Sequence, residues 1–204
     1  MALALGCMVA FLIGGLPWAL WVVRLCKGVD LRTIGSGNVG ATNASRAFAG
    51  RRARVAAFVA IYLLDAQKGF WPALLGPNFV DGDPRLVGVL LGASAILGHV
   101  FTPFLRFRGG KGVATATGVL LALDWGAWLV AIVAFFAVRW LTGQVFFGSL
   151  ALGVALALAA VLLHLDEAFA ARLPITVLCA ALAAFLFWTH RSNLQRHFAA
   201  GGAR

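Results

Sequence analysis

Residues 113–141, VATATGVLLALDWGAWLVAIVAFFAVRWL, hold a single acid, Asp124, and a single base, Arg139. A helix that crosses a bilayer needs about 20 mostly apolar residues, because the hydrocarbon is about 30 Å thick and a helix rises about 1.5 Å per residue. The run is too long for one crossing and short for two, so Asp124 marks a turn between two short helices. Working outward, residues 86–105 and 55–75 are further apolar segments, the second interrupted by Asp65 and Lys68, and residues 2–23 open the chain. Residues 145–163 and 173–189 complete the set. The pattern predicts an all-α, polytopic membrane bundle of about seven transmembrane helices forming one integral membrane domain over residues 1–204. Five crossings is the alternative, with the stretch around Asp124 only dipping into the membrane. Residues 2–23 lack the basic start and small-residue cleavage site of a secretory signal, and are read as a span.

Composition agrees with lipid as the solvent. The chain is 62% hydrophobic and 12% charged, with a mean hydropathy of +0.92, whereas soluble domains carry about 25% charged residues. Disorder and coiled coils are excluded by long apolar runs without heptads or polar tracts. Cys7, Cys26 and Cys179 are odd in number, scattered and free of C-x-x-C spacing, so no disulfide framework, metal site or redox pair is implied. They read as small apolar fillers, and no cofactor is called for.

Positively charged loops stay cytoplasmic. With seven spans, one side collects Arg24, Lys27, Arg32, Arg46, Arg51, Arg52, Arg54, Arg106, Arg108, Lys111, Arg139, Arg191, Arg196 and Arg204. The other side holds Arg85 and Arg172 beside Asp81, Asp83, Asp124, Asp166 and Glu167. The N-terminus is therefore expected outside and the C-terminus in the cytoplasm, with a glycine-rich loop at 24–54, a second loop at 106–112 and a tail at 190–204 on the cytoplasmic face. The net charge of +10 concentrated there suits anionic lipid headgroups and phosphorylated small molecules. Nucleic acid is not expected, because no soluble basic module is present.

The segment Gly35-Ser36-Gly37-Asn38-Val39-Gly40-Ala41-Thr42-Asn43 alternates glycines with small hydrogen-bonding residues. Such a stretch lets backbone N–H groups converge on an anion, and Arg46 adds a forked cation suited to phosphate. The alternative, a plain linker, has no need of so many amides and hydroxyls. A second polar island runs from His99 through Pro103, Arg106 and Arg108 to Gly109, Gly110, Lys111 and Gly112. It departs from the Walker pattern, which requires Ser or Thr after the lysine where Gly112 stands, so nucleotide hydrolysis is not supported. What remains is a lysine between glycines at the start of a helix, an arrangement that favours anions. Arg106 and Arg108 read as positive-inside anchors.

A third cluster, His190, Arg191 and Asn193, follows the last span, and Ser149 lies one turn into the preceding one. His190 has three open readings: general base, donor to phosphate, or interfacial residue. Asp65 and Lys68 share one helical face and read first as a structural ion pair. A supporting role beside the site is the second reading for Lys68, as is a functional one for His99.

Taken together, Gly35 to Asn43 with Arg46, Gly98-His99 through Gly109-Gly110-Lys111-Gly112-Val113-Ala114-Thr115, and His190-Arg191-x-Asn193 resemble the bacterial acyl-phosphate:glycerol-3-phosphate acyltransferases, nearly end to end. Asp65-x-x-Lys68-Gly69 also fits. The resemblance implies a small enzyme embedded in the bacterial cytoplasmic (inner) membrane, with its active site facing the cytoplasm. It implies transfer of an acyl group from acyl phosphate to glycerol 3-phosphate, giving 1-acyl-glycerol 3-phosphate for phospholipid synthesis. Membrane lipid and the soluble enzyme that supplies acyl phosphate are the implied partners. Lys111, Arg46, His190, Asn193 and Ser36 become candidate catalytic residues. Gly35, Gly37, Asn38, Gly40, Thr42, Asn43, His99, Gly109, Gly110, Gly112 and Ser149 join them as candidate substrate or phosphate contacts, with Asp65 and Lys68 in support. Two departures stand out: Phe146-Phe147-Gly148-Ser149 replaces Ser-Leu-Ala-Ser, so only the second serine is kept, and Ser192 occupies a commonly acidic position. No histidine has an aspartate five residues on, so the His-x4-Asp dyad of related acyltransferases is missing. The competing class is a transporter for an anionic solute, which would place polar residues at both faces and the midplane.

Overall fold

In the computed structural model, which describes residues 1–201, the chain is helical, with no strand among those residues. The first apolar segment is not one helix. It forms α1 (Leu3–Gly15) and α2 (Trp18–Lys27), because Pro17 has no N–H to offer the carbonyl one turn back and follows two glycines that weaken the helix before it. After a loop containing the single turn α3 (Ala41–Ala44) come α4 (Arg51–Leu75) and α5 (Pro84–Val100). Asp83 caps α5 by accepting the Leu86 N–H at 2.9 Å, and Pro84 sits where its missing N–H costs nothing.

The long run divides as its composition predicts, into α6 (Val113–Leu123) and α7 (Trp125–Thr142). Asp124 accepts the Ala127 N–H at 2.9 Å and so starts α7. α8 (Val145–Leu162) and α9 (Leu173–Gly201) follow. The expected 190–204 tail is instead mostly a continuation of α9, since nothing between Thr189 and Gly201 breaks a helix. Its last residues, including Arg204, lie outside the described residues.

Among the described residues, five segments are long and apolar enough to cross a bilayer: Leu3–Lys27, Pro84–Leu105, Trp125–Thr142, Val145–Leu162 and Leu173–Ala199. α4 is not among them, carrying Asp65, Gln67 and Lys68 at its middle, and α6 is too short. Residues such as Val59, Leu63, Phe136 and Trp140 are exposed, as expected of side chains that lipid solvates.

The chain forms two compact units, residues 1–122 and residues from 123 onward. In the first, α1 packs on α5 and α4 on α6 through glycines. A β-carbon on Gly14 would stand 2.0 Å from the Ala95 carbonyl oxygen, and one on Gly98 would stand 1.9 Å from that of Phe11. One on Gly118 would meet the Ala66 carbonyl oxygen at 1.9 Å, and one on Gly69 that of Thr115 at 2.3 Å. Lipid tails are as apolar as leucine, so helices in a bilayer gain from close backbone packing, which glycine permits. In the second unit, Gly148 packs on Phe135 and Arg139, and Gly153 on Ala183 and Leu186. Buried Asp124 is paired there with Arg172, and His164 Nε2 lies 3.2 Å from the same carboxylate oxygen.

Candidate active site

The loop between α2 and α4 is shaped from within. Asp30 accepts the Arg32 guanidinium at 2.6 Å and the Arg32 backbone N–H at 2.9 Å. These bonds hold the Asp30 carboxyl down at about 2, so the one carboxylate in the motif loops is a poor base. Further on, the Asn43 side chain is buried. Its Oδ1 accepts the Ser36 N–H at 3.0 Å, and its Nδ2 donates to the carbonyls of Ile34 at 2.9 Å and Leu31 at 3.3 Å. Asn43 thus clasps the loop. Gly35 has a φ of +53°, a left-handed conformation that glycine adopts freely. A β-carbon there would stand 2.6 Å from Asn43 Oδ1 and 2.8 Å from a terminal nitrogen of Arg46, so the Arg46 guanidinium lies beside the glycine. Ser36 and Arg46 are exposed, while Asn38, Gly40 and Thr42 are half-buried.

The second loop differs from expectation. Gly109 donates its N–H to the Val100 carbonyl at 2.9 Å and Gly110 to the His99 carbonyl at 3.1 Å. Both N–H groups are spent inside the chain, so these glycines serve close approach rather than an open nest. A β-carbon on Gly109 would stand 2.0 Å from the His99 carbonyl oxygen. Lys111, half-buried, follows at once, and Gly112, with a φ of +83°, leads into α6.

Behind the second loop lies a buried ionic network. Lys68 Nζ is 2.8 Å from Asp65 Oδ1, 2.9 Å from the Leu16 carbonyl and 2.9 Å from His99 Nδ1. All three ammonium hydrogens therefore have acceptors, which is what permits a cation at this depth. His99, one of the candidate phosphate contacts, has a buried side chain whose Nδ1 is engaged by Lys68. The sequence pattern missed the Leu16 carbonyl, which the α1–α2 break turns toward Lys68, and Thr102, whose hydroxyl donates to the Gly15 carbonyl at 2.6 Å. The Gly14-Gly15-Leu16-Pro17 run was the available signal for both.

The two loops meet at one end of the first unit. Val39 from the first, Thr102, Leu105 and Gly110 from the second, and Asp65, Lys68 and His99 beneath them line one cavity of about 10 Å³, room for roughly one water. Leu31, Val39, Ala41 and Ala44 also pack with Ala19, Leu20 and Val23 of α2 and Ile61 of α4, joined by Leu105.

In the second unit, Phe146 and Phe147 of α8 meet His197 of α9, and Gly153 packs on Ala183 and Leu186. Ser149 and His190 therefore lie at one level between those contacts. Ser149 donates to the Val145 carbonyl at 3.1 Å. His190 Nδ1 donates to the Leu186 carbonyl at 2.9 Å, which leaves Nε2 as the acceptor of the neutral ring. Asn193 Oδ1 accepts from Arg196 at 3.3 Å.

The glycerol-3-phosphate acyltransferase family profile matches residues 4–200. The chain belongs to that family. It is 38% identical over 189 residues to a glycerol-3-phosphate acyltransferase of Myxococcus xanthus, covering 93% of this chain and 92% of that one. It is 41% identical over 196 residues to one of Jannaschia sp., covering 95% and 88%. Two crystal structures of PlsY, an integral membrane glycerol 3-phosphate acyltransferase, superpose on it, each with 28% identity and covering 97% of this chain and 92% of the other. The glycerol 3-phosphate form gives a TM-score of 0.84 and the lysophosphatidic acid form 0.80. The chain is accordingly a membrane-embedded acyltransferase, and the transporter alternative falls.

Proposed function

We propose that this glycerol-3-phosphate acyltransferase moves an acyl group from acyl phosphate to the sn-1 hydroxyl of glycerol 3-phosphate, releasing lysophosphatidic acid and inorganic phosphate. The hydroxyl oxygen attacks the acyl carbon, the bond from that carbon to the phosphate oxygen breaks, and the hydroxyl proton passes to a phosphate oxygen. An acyl phosphate is already activated, so positioning and electrostatic stabilisation of the departing phosphate supply most of the catalysis. Arg46, Lys111 and the Ser36 hydroxyl provide the charge and donors, while Asn43 gives the first loop its shape. Asp30, tied to Arg32, is not the base.

The observation that carries this reading is the packing of the glycine-rich loop on the loop that leads to Lys111, with Leu105 against the cluster of Leu31, Val39, Ala41 and Ala44, and Val39 and Gly110 lining one small cavity. The excess of Lys and Arg in those loops supports a cytoplasmic active site, an external N-terminus and residence in the bacterial inner membrane. With α4 and α6 counted beside the five long apolar segments, the reading is seven crossings. Acyl phosphate delivered by a soluble enzyme would reach the same face.

The test supplies purified protein in detergent with acyl phosphate and glycerol 3-phosphate and measures lysophosphatidic acid and phosphate in equal amounts. Lys111→Ala and Arg46→Ala are expected to lose nearly all turnover, and His190→Ala and Asn193→Ala to be tested beside them. A modest loss in His190→Ala fits proton transfer to phosphate; complete loss with intact binding makes His190 the base. Product from acyl-CoA but not from acyl phosphate overturns the assigned donor.

A further inference from the structure

His99 holds Gly110 twice. Its carbonyl accepts the Gly110 N–H at 3.1 Å, and its ring lies so near that a β-carbon on Gly110 would stand 2.1 Å from Nε2. With the Gly109 N–H on the Val100 carbonyl, the end of α5 and the two glycines form a two-bond ladder, and Lys111 is the next residue. The chain reaches this ladder through Arg106 and Phe107, consecutive non-glycine residues with φ of 53° and 61°. That backbone is unfavourable for side-chain-bearing residues and persists where the surroundings impose it.

The ring itself cannot turn freely. Lys68 donates to Nδ1, which puts the proton of the neutral ring on Nε2, and the remaining Lys68 donors are taken by Asp65 and the Leu16 carbonyl. The third donor, which this buried ammonium needs satisfied in any case, falls on a ring of α5. Here that donor joins α4, through the ring, to the loop.

We propose that His99, locked by Lys68, is the positioning residue of the Lys111 turn. The ring is the wall on which Gly110 is seated, and it sets where the Lys111 ammonium is delivered. This rests on the reading of Lys111 as a phosphate ligand. Displacements of about 1 Å can cost a catalytic site about 100-fold, so a wall that fixes one backbone position is a sufficient device.

The experiment uses the full chain. His99→Asn leaves an oxygen near the place of Nδ1 for Lys68 but removes the wall. It is expected to raise KM for one of the two phosphate substrates about tenfold with kcat within about threefold, and to add little in a Lys111→Met background, as coupled residues do. Gly110→Ala should be nearly inactive and should recover when combined with His99→Asn, which makes room for the new methyl. A readout independent of activity is the thiol-labelling rate of Lys111→Cys in a chain otherwise free of cysteine, which His99→Asn should change at least about fivefold if the turn is loosened. An unchanged labelling rate, or additive losses for His99→Asn and Lys111→Met, overturns the proposal. If Lys111→Met is silent while labelling still responds to His99→Asn, the wall stands and the phosphate reading of Lys111 fails. Should His99→Asn not fold, His99→Gln carries the same measurements.

Discussion

Asn43 Oδ1 accepts the backbone N–H of Ser36 at 3.0 Å, seven positions back in the chain, while Nδ2 binds two further carbonyls of the same loop. A residue that sequence reading placed against substrate is thereby committed to the shape of the loop that bears Ser36 and faces Arg46. Asn43→Asp, nearly equal in size, would aim a carboxylate at the Leu31 and Ile34 carbonyls. Its activity is expected to fall at least about tenfold, in line with the loss of two donors and about 1–3 kcal/mol for each buried group left unpaired. Steady-state kinetics in both substrates check this, and near-normal activity would contradict the clasp.

Lys68→Met removes the partner of buried Asp65 and should destabilise the protein by about 3–5 kcal/mol. Asp65→Leu combined with Lys68→Met leaves no buried charge and should recover part of that loss. Equilibrium unfolding in mixed detergent micelles measures both variants.

Gly118→Ala would force α4 and α6 apart, because the new carbon meets the Ala66 carbonyl at 1.9 Å. A loss of about 1–3 kcal/mol is expected. Gly126→Ala, in α7, meets Leu163 only at an ordinary 3.4 Å and should be neutral or stabilising by up to about 1 kcal/mol, from helix propensity. Comparing the apparent melting temperatures of the two variants tests whether close packing, rather than glycine content, matters.

For Asp30, the folded value of about 2 lies below the ordinary aspartate value of about 3.9. Its contact with Arg32 therefore contributes fully above pH 4 and is lost as pH falls through about 2. Carboxyl-resolved NMR should find Asp30 titrating near 2 in the native chain and close to about 3.9 in Arg32→Ala.

The helical segments were legible because apolar length and interruption by charge report directly on lipid as solvent. Asp124 named a turn from its chemistry alone, and there α6 gives way to α7. Pro17 was legible in principle, but the apolar run around it outweighed it, so the break and the Leu16 carbonyl it delivers went unread. The residue types of the loops suggested sites for an anion, yet which atoms are already used is a tertiary fact. The N–H groups of Gly109 and Gly110 were free on paper and are bonded in the fold. His99 and Lys68 are 31 positions apart, and no local pattern ties them together.

The backbone contacts at Gly14, Gly69, Gly98 and Gly118 bear on how this chain can diverge. Positions with no space for even a methyl cannot drift without moving a whole helix, so substitutions that accumulate over time should fall on the fatty outer surface, at Val59, Leu63, Phe136 or Trp140. A randomised library screened for survival would show that asymmetry within one round: near-total depletion at the four glycines, and broad tolerance among greasy residues outside.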